Sequence, residues 1–243
     1  MITMMTQRGC IAKCAFCNTP QIHGTKIRGW TNEQIVDELV RLKARHGIQE
    51  VSFVDDVFTN RPGGGPRKLC QLMMEANLNL TWYCNARADQ ITQGMALSMK
   101  QAGCHQVFLG FESGCDDMLR RINKGETVAD LERGARLLQD AGIAISVGFI
   151  VGLPGETQAS VNKTIALANR VRPNRVQFTR FTPIPGSQLA HSDSIKERGL
   201  GDDDKEETED ATSKYGFHNR SGGDQVEAWI QQCYAECVYK PSL

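Results

Sequence analysis

Three cysteines, Cys10, Cys14 and Cys17, fall within eight residues in the stretch Arg8-Gly9-Cys10-Ile11-Ala12-Lys13-Cys14-Ala15-Phe16-Cys17-Asn18, with the spacing Cys-x3-Cys-x2-Cys. A short apolar segment precedes them and a loop containing Pro20 and Gly24 follows, so three thiolates can converge on one inorganic centre. The ligand count narrows the choice of metal. A structural zinc closes with four protein ligands, and His23 is the fourth on offer. A 4Fe-4S cluster on three cysteines leaves one iron open to a ligand that is not protein. Three unrelated cysteines are the remaining reading.

The elements that would carry this loop alternate regularly. Ile2 to Thr6 reads as a first strand ending at the cysteines. Thr31 or Asn32 caps a helix in which Ile35, Val36, Leu39, Val40 and Leu42 recur at helical spacing, and His46-Gly47 stops it. A second strand, Glu50 to Val54, runs into Asp55-Asp56. Beyond the Gly/Pro turn at 61–66 come a helix carrying Leu69, Leu72, Met73 and Ala76, then a third strand near Leu80 to Cys84. A helix near Thr92 to Ala102 leads to a fourth strand, Gln106 to Phe111. Helical segments at Asp116 to Arg121 and Val128 to Ala141 lead to a fifth, Ile143 to Val151. A helix from about Gln158 to Arg170 and a sixth strand, Arg175 to Phe181, complete the series. Such alternation predicts the α/β class: a parallel sheet with right-handed crossovers, closed part-way as a partial (β/α)6 barrel. A doubly wound sheet is the alternative that periodicity does not separate.

In parallel α/β architectures the loops at the C-terminal ends of the strands carry function. Here those ends hold the cysteines, then Asp55 and Asp56, Asn85 and Arg87, Glu112 and Ser113, Gly152 to Glu156, and Arg180 with Thr182. Any one of these alone is an ordinary strand-end cap or salt bridge. Six on one rim predict a shared polar pocket.

The cysteine spacing, with Phe16 as the aromatic residue before the third cysteine, resembles the signature of the radical S-adenosylmethionine (SAM) superfamily. Residues 54–59 (Val-Asp-Asp-Val-Phe-Thr), 82–89, 108–114, Lys124-Gly125, 148–157 and 182–186 resemble, in order, landmarks of the branch that includes cobalamin-dependent radical SAM enzymes and methylthiotransferases. The resemblance runs from residue 3 to about 189. It implies a 4Fe-4S cluster on Cys10, Cys14 and Cys17, with SAM bound to the open iron through its amino and carboxylate groups. It sets Asp55 and Asp56 where the superfamily contacts the methionine amino group, although the common Gly-Gly-Glu is absent. Glu112 and Ser113 match a strand-four position of polar contacts to SAM. Gly148, Ile150 and Gly152 match the strand that flanks adenine; the family's following glutamate falls on Gly155, with Glu156 one place late. Phe16 borders the cofactor, and Arg87 and Arg180 are, on charge grounds, candidates for the methionine carboxylate.

The resemblance further implies an oxygen-sensitive enzyme that cleaves SAM reductively to a 5'-deoxyadenosyl radical, which abstracts hydrogen from a substrate this sequence does not identify. Methyl transfer is one outcome, cobalamin a further candidate cofactor, and a reductant such as flavodoxin or ferredoxin an expected partner. The alternative from another class is a non-catalytic zinc- or cluster-binding module or subunit that keeps the barrel without turnover.

With 243 residues, 40% of them apolar, one main domain is expected, its core spanning 1–200. The acidic run Gly201 to Asp210 and the glycines at 222–223 mark 201–224 as a flexible, solvated loop. The remainder, 225–243, holds a last helix, Gln225 to Cys237, with Val226, Trp229, Ile230 and Cys233 on one face to pack back on the core. The accessory domains of the resembling families are not visible, so the expectation is a minimal core, a fragment, or a chain working with a separate cobalamin- or substrate-binding subunit. Lys plus Arg and Asp plus Glu are 28 each, which calls for neither nucleic acid nor membrane. No apolar run approaches the roughly 20 residues of a membrane span and no leader pattern is present, so a cytoplasmic location is expected. Nine cysteines fit a reducing compartment. Cys70, Cys84, Cys104 and Cys115 read as small buried hydrophobes and Cys233 and Cys237 as structural.

Overall fold

The computed structural model describes residues 1–191 and 223–237. In chain order the elements are β1 (Ile2–Met4), β2 (Gln7–Arg8), α1 (Thr19–Ile22), β3 (Arg28–Gly29), α2 (Asn32–His46), β4 (Glu50–Phe53), α3 (Gly65–Glu75), β5 (Thr81–Ala86), α4 (Gln93–Gln101), β6 (Cys104–Glu112), α5 (Asp116–Arg121), α6 (Val128–Asp140), β7 (Ala144–Val151), α7 (Gln158–Val171), β8 (Arg175–Arg180) and α8 (Gly223–Glu236). Short 3-10 turns follow β5 at Ala88–Gln90 and β8 at Gln188–His191.

Four helices, α2, α4, α6 and α7, begin at a threonine whose hydroxyl accepts an otherwise orphan amide. Thr31, Thr127 and Thr157 each form a reciprocal capping box, with Gln34, Asp130 and Ser160, and the Thr92 side chain accepts from the Met95 amide. α2 ends at Gly47, whose left-handed backbone lets its amide reach the Lys43 carbonyl.

Six strands form one parallel sheet in the order β1-β4-β5-β6-β7-β8, so each strand lies beside the next of the series and the crossovers wind one way. This is the partial (β/α)6 barrel. Along β7 the alternation is strict: Ile145, Val147, Phe149 and Val151 are buried under the helices, while Ala144, Ser146, Gly148 and Ile150 on the opposite face are half-buried. Trp82 is fully buried against Phe53 and Phe58, and its indole N–H donates to the Ala102 carbonyl at 2.8 Å. A second row of rings runs from Phe111 through Phe149 and Phe178 to Tyr234 of α8.

α8 seals the β8 edge. The Tyr234 hydroxyl accepts from the Phe178 amide at 3.0 Å, Trp229 donates to Gln158, and Asn169 donates to the Glu236 carbonyl. The expected last helix therefore forms and packs on β7, β8 and α7. The expected acidic loop at 201–224 lies outside the described residues, apart from the start of α8. Two features were not anticipated. The first strand stops at Met4, and a separate antiparallel ribbon, β2 with β3, pairs Gln7 with Gly29 and Arg8 with Arg28, closing the base of the segment that holds the cysteines.

Candidate cofactor site

At the C-terminal end of the barrel, Cys10, Cys14 and Cys17 line one cavity of about 250 Å³, together with Phe16, Asp56, Asn85, Arg87, Phe108, Gly110, Glu112 and Lys124. The cysteine loop is pinned from several directions. The Ala15 amide donates to the Ile122 carbonyl at 2.7 Å, Asn123 donates to the Lys13 carbonyl at 2.8 Å, and the Leu189 amide donates to the Ala15 carbonyl at 2.9 Å. All three thiols are free and half-buried. Burial raises the Cys10 and Cys14 thiols above the ordinary range; Lys124 and Arg87 oppose this at Cys14.

Glu112 reaches the cavity because β6 ends irregularly. The register against β7 slips between Gly110 and Glu112, and Glu112 takes φ +63°, which folds its carboxylate back over Gly110. A Cβ on Gly110 would stand 2.4 Å from Glu112 Oε1, so only glycine leaves room for that arrangement. Lys124 Nζ meets Glu112 Oε1 at 3.1 Å and the buried Glu126 at 3.3 Å. Burial works against the Lys124 charge, but Glu112 and Glu126 outweigh it and hold the ammonium protonated. Arg87 forms a two-pronged pair with Asp89, at 3.1 Å for each bond, donates to the Lys124 carbonyl at 3.0 Å and lies 3.4 Å from Glu126.

The sequence-predicted residues divide between the cavity and its support. Cys10, Cys14, Cys17, Phe16, Asp56, Arg87 and Glu112 line it. Asp55 does not. Its side chain is fully buried and accepts from the Thr6 amide and hydroxyl, each at 2.6 Å, from the Gln7 amide at 2.9 Å and from Arg61 at 2.9 Å. Both lie in the loop past the end of β4, which bends at Asp56, so Asp56 lines the cavity while Asp55 is buried beneath it. Ser113 is likewise buried, its hydroxyl accepting from the Cys115 amide and facing Thr164 of α7. Gly148 acts at one remove: a Cβ there would lie 2.8 Å from the Phe108 ring that lines the cavity. Ile150 packs against the core, and Gly152 sits beneath Val226 of α8. Arg180 pairs in register with Val151, on the helix-covered face of Phe149 and Phe178 and not on the face of Ile150 and Thr179. Asp55, Ser113, Ile150, Gly152 and Arg180 are therefore outside the cavity lining.

Lys124 lines the cavity and the buried Glu126 backs it, roles that sequence reasoning missed. Lys124-Gly125 is a landmark of the resemblance, but nothing in its spacing says that the turn after α5 folds back onto Cys14. The zinc alternative needs His23 beside the thiols. His23 is not part of the cavity lining, its Nδ1 lying 2.8 Å from Asp56 Oδ2, and among the described residues no group of three His, Cys, Asp or Glu side chains is placed to hold a single ion.

Glu156 stands beside this rim, accepting from the Gly152 amide at 2.5 Å and the Leu153 amide at 3.3 Å. Burial pushes its carboxyl up to about 7 although both amides favour the charged form. From its ordinary 4.5 to about 7, rising pH ionises the group in the unfolded chain before the folded one, so stability falls across that window. Glu156→Gln is expected to match the parent near the bottom of the window. At about pH 8 it should be more stable by about 1–2 kcal/mol, discounted for partial exposure. Urea unfolding at the two pH values checks this, and a pH-independent difference would contradict it.

Residues 4–168 match the Radical SAM superfamily. The chain is 33% identical over 186 residues to the uncharacterized methyltransferase PH0819 of Pyrococcus horikoshii, covering 76% of this chain and 40% of that protein. It is 30% identical over 197 residues to the ribosomal protein uS12 methylthiotransferase RimO of Heliobacterium modesticaldum, covering 75% and 42%. Among solved structures, the radical SAM methyltransferase TsrM from Kitasatospora setae, determined with cobalamin and a [4Fe-4S] cluster bound, is similar in fold. Its TM-score is 0.70 and its identity 21%, over 77% of this chain and 35% of that one. The chain thus spans less than half the length of each.

Proposed function

This chain belongs to the radical SAM superfamily, and we propose that it is a radical SAM enzyme whose cofactors occupy the cavity bounded by Cys10, Cys14, Cys17, Glu112 and Lys124. One observation carries the reading: three unpaired thiols share a single cavity with a carboxylate and an ammonium set side by side. The donor set fits the implied groups. Three thiols suit a 4Fe-4S cluster that keeps one iron for another ligand, and a carboxylate beside an ammonium complements the zwitterionic tail of SAM. Bound there, cluster and SAM would supply reductive cleavage of the sulfonium.

The protein's part is orientation and exclusion. Glu112 would accept from the methionine amino group and Lys124 would attract the carboxylate, the two side chains lying 3.1 Å apart at the cavity wall. Arg87 stays braced on Asp89 and supports the same positive field. Phe16 and Phe108 form apolar walls that limit water, and Gly110 keeps the floor open. Cleavage requires an external one-electron donor, such as a flavodoxin or ferredoxin. Similarity to proteins described as methyltransferases supports a second stage, methyl transfer with cobalamin, on a substrate site contributed by sequence or a subunit beyond this core. Among the described residues no helix is long and apolar enough to cross a membrane.

The test is anaerobic reconstitution, measuring iron and sulfide per chain and SAM affinity in the parent and in Glu112→Gln. The expected result is an unchanged cluster content with SAM affinity weakened about tenfold or more, the scale of a lost charge-assisted hydrogen bond. Equal SAM affinity would remove Glu112 from the site. Adding cobalamin should yield S-adenosylhomocysteine if methyl transfer follows.

A further inference from the structure

We propose that Asp56 is a positioning residue that ties together the two ends of the cysteine loop and sets its thiols in place before iron binds. The residues that bound the loop are Gly9, just ahead of Cys10, and His23, beyond Cys17. The Asp56 carboxylate reaches both: Oδ2 accepts from the Gly9 amide at 2.9 Å and meets His23 Nδ1 at 2.8 Å, with Oδ1 3.1 Å from the same nitrogen. Asp56 lies just beyond β4, so this bridge fastens the mouth of the loop to the rigid sheet.

Two further contacts close the loop on itself. The Cys10 amide donates to the Gly24 carbonyl at 3.2 Å. Gly9, at φ +103°, lies so near residue 26 that a Cβ would stand 2.4 Å from the Lys26 carbonyl oxygen. These contacts set the loop's closure but not its direction. The direction comes from Asp56 and, one step earlier in the chain, from Asp55, which holds Thr6 and Gln7. The paired aspartates hold the two sides of β2, Asp55 at Thr6 and Gln7 from the core side and Asp56 at Gly9 from the cavity side.

This role goes beyond the proposed cleavage of SAM and can be read in the chain without its cluster. The experiment is N-ethylmaleimide labelling of the full apo chain, followed residue by residue by mass spectrometry. Cys70, Cys84 and Cys104, buried at 0–1% exposure, label only when the whole fold opens and serve as internal controls. In Asp56→Ala, Cys10, Cys14 and Cys17 are expected to label about tenfold faster while the three core cysteines keep the parent rate. Asp56→Asn keeps an acceptor for Gly9 and His23 and should fall between, as should His23→Ala; these carry the test if Asp56→Ala does not fold. After reconstitution, iron loss to a chelator should follow the same order. Parent-like labelling and iron retention with weakened SAM binding would overturn the proposal and make Asp56 a SAM contact. Equal acceleration at all six cysteines would also overturn it, because the effect would then be global.

Discussion

Cys14→Ala is expected to leave a folded chain that holds no stable 4Fe-4S cluster and cleaves SAM at least about a thousandfold more slowly than the parent. The two halves of this expectation rest on different observations. Cys14 is half-buried in the cavity and packs in no aromatic or aliphatic cluster, so shortening it removes little apolar contact. The loop around it is held by main-chain bonds, Ala15 to Ile122 and Leu189 to Ala15, which the substitution leaves intact. Stability should therefore fall by less than about 1 kcal/mol. What disappears is the middle thiol, which shares the cavity with Lys124 and Arg87, and two remaining thiols do not hold a cubane tightly. Thermal unfolding and iron content measured together separate the outcomes. A folded variant with full iron would show that Cys14 is not a ligand, and an unfolded one would show that it is structural.

Asp55→Ala is expected to act in the opposite way, through stability, by about 3–5 kcal/mol. Asp55 and Arg61 have side chains only 0% and 1% exposed, and their pair sits under the start of the cysteine loop. Removing the carboxylate strands a buried guanidinium whose Nε and Nη1 already lack partners among the described residues. It also leaves the Thr6 and Gln7 amides without their acceptor. Burial already works against the Arg61 charge, and Asp55 is the compensation. The pair is not expected to be worth the full cost of breaking it, so the double variant Asp55→Asn/Arg61→Met should recover part of the loss. Denaturant unfolding of the single and double variants checks this. A single-variant loss below about 1 kcal/mol would contradict the network.

These contrasting neighbours show where sequence reading stops. The β-α series was legible because the cap at Thr31, helical spacing of apolar residues and Gly/Pro stops act locally; the hydroxyl caps at Thr92, Thr127 and Thr157 reinforce the same boundaries. The placing of chemistry at the C-terminal strand ends follows from parallel topology. Which side a strand-end residue faces depends on register, and one step reverses it. Hence Arg180 falls opposite Val151 on the covered face, while Asp56 faces the cavity and Asp55 lies below it because the chain bends just past β4. Glu112, expected at the site, lines the cavity through a bulge that shifts it past Gly110, an adjustment set by the pairing of β6 with β7. The roles of Lys124, a landmark of the resemblance, and of Glu126 are not legible for a related reason: their turn meets the cysteine loop through tertiary contacts from residues 122 and 123.

The central claim is that Cys10, Cys14, Cys17, Glu112 and Lys124 together frame a site for reductive SAM cleavage. The most direct measurement is 5'-deoxyadenosine released by the anaerobically reconstituted full chain on addition of dithionite and SAM, with iron and sulfide determined on the same sample. The predicted result is close to four irons per chain and 5'-deoxyadenosine that depends on both reductant and SAM and is lost in Cys14→Ala. A fully iron-loaded chain that binds SAM yet releases no 5'-deoxyadenosine would contradict the account, as would a folded chain that takes up zinc and no iron.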